Sequence, residues 1–91
     1  MATVPGNGSK AFEIGAGTRA LVVVCGFSNE ATQIYIVTSS SAGATYVFPT
    51  KTSTGMSYSI SGKILTLTNS TGSNAYANAV VFSGSVETAS T

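Results

Sequence analysis

The period of this sequence constrains its fold more than any other feature. Apolar and polar side chains alternate with a repeat of two over nearly the whole chain, and no stretch shows the spacing of a helix. Lys10 to Ile14 alternates, with Phe12 and Ile14 on one face, until Gly15-Ala16-Gly17 breaks it. Thr18 to Phe27 is a long apolar run rich in β-branched residues. Leu21, Val23, Cys25 and Phe27 fall on one of its faces, and Ala20, Val22 and Val24 on the other. Two apolar faces predict a strand covered on both sides. Thr32 to Thr38 is the next strand, with Ile34 and Ile36 opposite Gln33, Tyr35 and Val37. Ala44 to Phe48 follows a Ser/Gly connector, and Pro49 ends it or marks it as an edge.

The sharpest local signal is a hairpin at Ser61-Gly62. A two-residue loop there pairs Ile60 with Lys63, Tyr58 with Leu65 and Met56 with Leu67, all on one face. After a polar turn at Asn69–Asn74, Tyr76 to Ser83 forms the last full strand. Tyr76, Asn78, Val80 and Phe82 lie on one side of it, and Ala75, Ala77, Ala79 and Val81 on the other. About seven short strands at roughly ten-residue spacing predict an all-β domain without helix. Its form is a small antiparallel sandwich or a jelly-roll-like barrel. The domain is expected to span 9–86, after a flexible segment 1–8 and before a polar tail 87–91. Small faces such as the alanines after Asn74 suit either a sheet-on-sheet core or a seam between subunits.

Composition removes most chemistry. The 91 residues include no His, Asp or Trp, and only 8% are charged, against roughly 25% in an ordinary globular protein. Four scattered cations, Lys10, Arg19, Lys51 and Lys63, supply no basic stripe for nucleic acid. Cys25 is the single cysteine, so no internal disulfide can compensate for a small core, and self-association is the expected substitute. No apolar run reaches the ~20 residues that span a bilayer, and none forms a signal-peptide core. Val24 stands where a lipoprotein site before Cys25 would need a small residue.

Each remaining motif has a plainer structural reading. Gly15-Ala16-Gly17-Thr18-Arg19-Ala20 matches a dinucleotide fingerprint in letters, but strand formers follow it where a helix is required, so it reads as a tight turn. A Ser–Lys nucleophile would have to use Lys51 or Lys63, which stand beside turns and read as solvent-facing charges. Three Glu and one Cys give no ligand spacing, so no metal and no cofactor is expected. A Lys10–Asn78 isopeptide bond would need a Glu between them. Asn7-Gly8-Ser9 and Asn69-Ser70-Thr71 have the form of glycosylation acceptors but read as turn residues. No catalytic residue is predicted, and the chain is expected not to be an enzyme.

One resemblance covers roughly Ser9 to Val86. It rests on the Gly-Thr-Arg-Ala-Leu-Val-Val-Val strand, Ile34-Tyr35-Ile36-Val37 before a Ser/Gly loop, Lys63 to Asn69, and Ala79 to Val86. Together these resemble the small β-domains of bacteriophage tail and tail-fibre proteins. The resemblance implies a virion structural or receptor-binding module, most often a homotrimer, that joins other virion proteins and contacts a host surface glycan. It also implies synthesis in the host cytoplasm without a signal peptide. Binding would then use loops, the candidates being Ser28 to Ala31, Ser39 to Gly43, Lys51 to Gly55 and Asn69 to Asn74; no residue among them is singled out. The other reading is a capsid-decoration or tail-assembly protein with no host ligand.

Overall fold

The structure, a computed structural model, describes residues 2–26, 33–51 and 55–89. Among the described residues there is no helix, and nine short strands form two antiparallel sheets. In chain order they are β1 (Ala2–Val4), β2 (Gly8–Ile14), β3 (Arg19–Gly26), β4 (Gln33–Ser39) and β5 (Thr45–Lys51), then β6 (Met56–Ser61), β7 (Ile64–Asn69), β8 (Ala75–Ser83) and β9 (Val86–Thr88). The larger sheet runs β1-β8-β3-β4-β5 and the smaller β6-β7-β2-β9. Neither closes on itself, so the fold is an open sandwich and not a barrel.

The all-β class follows from the alternation, as expected, with two strands beyond the predicted seven. These are β1 and β9, three residues each and too short to register a period. Ala2–Val4 lies in the segment expected to be flexible. Instead it pairs with β8, Val4 against Ala75, and Val4 is fully buried. Val86–Thr88 pairs with β2 and carries the smaller sheet into the expected tail.

The core lies between the sheets. The larger sheet contributes mostly small side chains, Ala20, Val22, Val24, Val37, Ala75 and Ala77, with Tyr35 the exception. The smaller sheet answers with bulk: Phe12, Ile14, Leu65 and Leu67. Large against small across the layers fills the space at the density that interiors require. The small-residue faces thus join the internal core at Ala20, Val22, Val24, Ala75 and Ala77, whereas Ala79 and Val81, further along β8, are exposed. The other face of β3 departs from expectation: Leu21 and Val23 are half-buried, Cys25 is exposed, and no described residue forms a layer over them. Among the described residues the strand is covered on one side, not on both.

The hairpin register also shifts. Ile60 pairs with Leu65, Tyr58 with Leu67 and Met56 with Asn69, two residues from the expected partners. Ser61 faces Ile64, which leaves Gly62-Lys63 as the loop. Gly62 has φ +59° and takes the first central position, where such a turn demands a positive φ. A slip of two preserves the face, so Tyr58 and Ile60 still lie over the same side as Leu65 and Leu67. Pro49 falls inside the edge strand β5, opposite Tyr35, consistent with its reading as an edge residue.

Candidate functional site

The outward face of the larger sheet is the most unusual surface of the molecule. Cross-strand pairing lines up Phe48, Ile36, Leu21 and Val80 in one row and Ile34, Val23 and Asn78 in the next. A third row holds Tyr46, Thr38, Arg19 and Ser83. Phe48 is 55% exposed, Val80 53% and Ile36 41%. Four strands ~4.8 Å apart, each seven to nine residues at ~3.3 Å, make a face on the order of 500 Å². Its apolar part falls within the range of the largest apolar patches on ordinary monomers. Two charged residues stand in these rows, Arg19 in the third and Lys51, the register partner of Ile34, at the edge of the second.

The loops gather at two ends of the sandwich. At one, Thr18 is fully buried; its hydroxyl donates to the Gly15 carbonyl (2.6 Å) and accepts from the Ser85 amide (3.0 Å). The Ser39 hydroxyl accepts from the Thr18 amide (2.9 Å) and donates to the same Gly15 carbonyl. Gly84 has φ +79°, and a Cβ there would lie 2.4 Å from the Thr18 hydroxyl, so only glycine fits this crossing. Beside this knot lies an open cleft of about 390 Å³, lined among others by Ser41, Gly43, Ser85, Glu87 and the Glu13–Lys63 ion pair (2.9 Å). Both partners of that pair are substantially exposed, so it adds little to stability.

At the opposite end Asn69 is the hub. Its amide nitrogen donates to the carbonyls of Val4 (3.2 Å) and Ser73 (2.8 Å). Its oxygen accepts from the Thr71 amide (2.9 Å) and hydroxyl (2.6 Å). A fully buried amide with both ends engaged is a structural turn residue, not a glycan acceptor. The Ser70 amide donates to the Gly55 carbonyl (2.8 Å), joining the start of β6 to the same end.

The four candidate loops do not converge. Residues 39–43 border the cleft; 69–74 and Gly55 sit at the Asn69 end; 28–31 and 52–54 lie outside the described residues. Gly15–Thr18 is a turn entering β3. Lys63 is exposed, as expected of a turn cation, but engages Glu13. Asn78 is exposed on the outer face of the larger sheet whereas Lys10 lies in the smaller sheet, so they are not brought together. Among the described residues no group of three His, Cys, Asp or Glu forms a metal-binding cluster, and no helix is long and apolar enough to cross a membrane.

Inside the core, Tyr35 packs edge-on against Tyr58, ring centroids 5.5 Å apart. Its buried hydroxyl has no hydrogen-bond partner among the described residues. Burial, and secondarily the neighbouring Tyr58, push its phenol up to about 12. Sequence reasoning missed Thr18 and Asn69 as hubs and Ser85 as a cleft residue. With Ser and Thr filling 27 of 91 positions, nothing local distinguishes Thr18 and Ser85, and Asn69 reads only as a turn residue. Comparison with family models, curated proteins and solved structures finds no match to this chain.

Proposed function

We propose that this chain is a non-enzymatic virion module of the tail-fibre type, which self-assembles and presents loop ends to a host surface. The observation that carries the reading is the open apolar face of the larger sheet. Phe48, Ile36, Leu21 and Val80 form an uninterrupted row that water would otherwise cover. Burying such a face against further copies gives a small domain the core that a short chain lacks. The resemblance to tail-fibre domains favours three copies. The cleft beside Ser41 and Ser85 offers neutral hydroxyls and an ion pair, a lining suited to a polar, uncharged ligand such as a glycan.

Light scattering on a sizing column, over a range of concentrations, tests the assembly. The expected species at low concentration is near three times 9.1 kDa, and Phe48→Lys, with a native circular-dichroism spectrum, should lose it. A wild type that stays monomeric throughout would overturn the reading. A glycan array then tests the host contact: specific, saturable binding supports it, and assembly without binding moves the chain to a purely structural virion role.

A further inference from the structure

The second half of β8 is an open strand edge. β1 pairs with Ala75, Tyr76 and Ala77 and goes no further, while β8 continues to Ser83. From Asn78 onward the strand has β3 on one side and no described strand on the other. Edges of this kind ordinarily carry a Lys, a Pro or an inward charge that blocks pairing. This one reads Asn-Ala-Val-Val-Phe-Ser and carries none. The edge strands of the described sheets differ: β1 is three residues, β5 holds Pro49, β9 is three residues with Glu87 among them, and β6 has serines at 57, 59 and 61.

Both flanks of the open edge are apolar and uncovered. Phe82 is 73% exposed, next to the exposed Val80. Val81 shares the inward side with Ala77, yet it is 41% exposed. The sheets gape beside it, leaving a groove of about 200 Å³ lined also by Phe12, Ala79 and Val86. A bulge leaves Phe82 without a partner on β3, since Ala20 pairs with Val81 and Arg19 with Ser83. The stretch open to pairing is thus centred on Val80.

We propose that this edge pairs with the same edge of a second copy, antiparallel about a two-fold axis through Val80. Val80 then faces its own copy, Ala79 faces Val81 and Asn78 faces Phe82. Opposed residues point to the same side of an antiparallel pair. Val80 and Phe82 of both copies therefore extend one apolar outer face, and Ala79 and Val81 close both grooves. The edge bears no charge that would select an acidic or basic partner, and a self-complementary strand closes the symmetry without leaving another edge free. Five residues at ~3.4 Å give a wall about 17 Å long. Over the molecule's smallest dimension of 18 Å this is on the order of 300 Å². A standard stable interface buries about 800 Å² per partner, so the pairing is expected to depend on concentration. The inference rests on self-assembly in needing more than one copy, and goes beyond it in naming a seam and its symmetry.

The test is a cysteine at the axis, Val80→Cys in a Cys25→Ser background, under mild oxidation. Paired Cα atoms ~4.5–5.5 Å apart lie within disulfide reach, so a covalent dimer should be the main product, while Ser57→Cys in the same background should crosslink at least tenfold more slowly. Val80→Lys, folded by circular dichroism, should raise the concentration for half-dissociation at least tenfold. Masses of two chains, or of six where two trimers join, fit the pairing. Crosslinking of Val80→Cys no faster than Ser57→Cys, or a folded Val80→Lys variant of unchanged mass, would overturn it. Loss of assembly in Phe48→Lys but not in Val80→Lys sinks the edge alone, whereas a wild type monomeric at every concentration sinks both proposals.

Discussion

The two faces of the larger sheet are built from similarly apolar residues and have opposite fates. On β4, Tyr35 and Val37 are buried, while Ile36 between them is 41% exposed. Hydrophobicity does not separate these neighbours. What separates them is the second layer, which stands opposite one face and not the other. Side-chain size follows the same division. The covered face is mostly Ala and Val because Phe12, Ile14, Leu65 and Leu67 must fit against it. The open face carries Tyr46, Phe48 and Phe82, whose bulk meets no opposing layer among the described residues. An ordinary sandwich turns a polar face to water; this one turns a second apolar face outward.

The largest expected effect lies on the covered face, at Tyr35. Its phenol keeps its proton in the fold to about pH 12, whereas the unfolded chain loses it near 10. Between those values the folded state binds more protons than the unfolded one, so stability falls as pH rises. The contribution is fully present below pH 10 and is lost by pH 12. At ~1.36 kcal/mol per pKa unit the loss is on the order of 3 kcal/mol. Urea unfolding at pH 8, 10, 11 and 12 should show it, and Tyr35→Phe should remove it. Because the Tyr35 hydroxyl is buried without a partner among the described residues, Tyr35→Phe should also be neutral or stabilising, by up to ~1 kcal/mol, at neutral pH. An alkaline loss that survives Tyr35→Phe would show that the phenol is not shielded and would weaken the contrast between the faces.

Val37→Ala comes next. The side chain is completely buried, and removing two methyl-sized groups from such a site costs about 2 kcal/mol in lost burial and residual cavity. A shift in the urea midpoint at constant slope would measure it. A cost under ~0.5 kcal/mol would mean that the layers close over the gap.

The sequence exposes the alternation but not what lies across from it, and the limits of its legibility follow from that. The face assignments on β3, β4 and β8 were readable because a period of two is local. The cover expected on both sides of β3 was not, since coverage is decided by another layer. The hairpin slipped by two because both registers keep Tyr58 and Ile60 on the same face, and only the turn position of Gly62 separates them. β1 gains its order from pairing beside β8, Val4 against Ala75, a contact more than 70 residues away in sequence. The hubs are hidden for the same reason: Thr18 meets Ser85 and Asn69 meets Val4 only after folding, 67 and 65 positions apart.

The smallest expected effect sharpens the comparison most. Ile36→Thr keeps a β-branched residue on the same strand, next to Val37, and changes only the open face. In dilute solution it should alter subunit stability by less than ~0.5 kcal/mol, the range for surface positions away from special features. If that face is buried between copies, wild-type stability should rise with protein concentration, because association favours the folded state. Ile36→Thr should flatten that rise while leaving the dilute value in place. Urea titrations of both chains across a hundredfold range of concentration would separate the two. A dilute cost as large as that of Val37→Ala would show that Ile36 is covered within its own chain, and the distinction between the faces would fail at its centre.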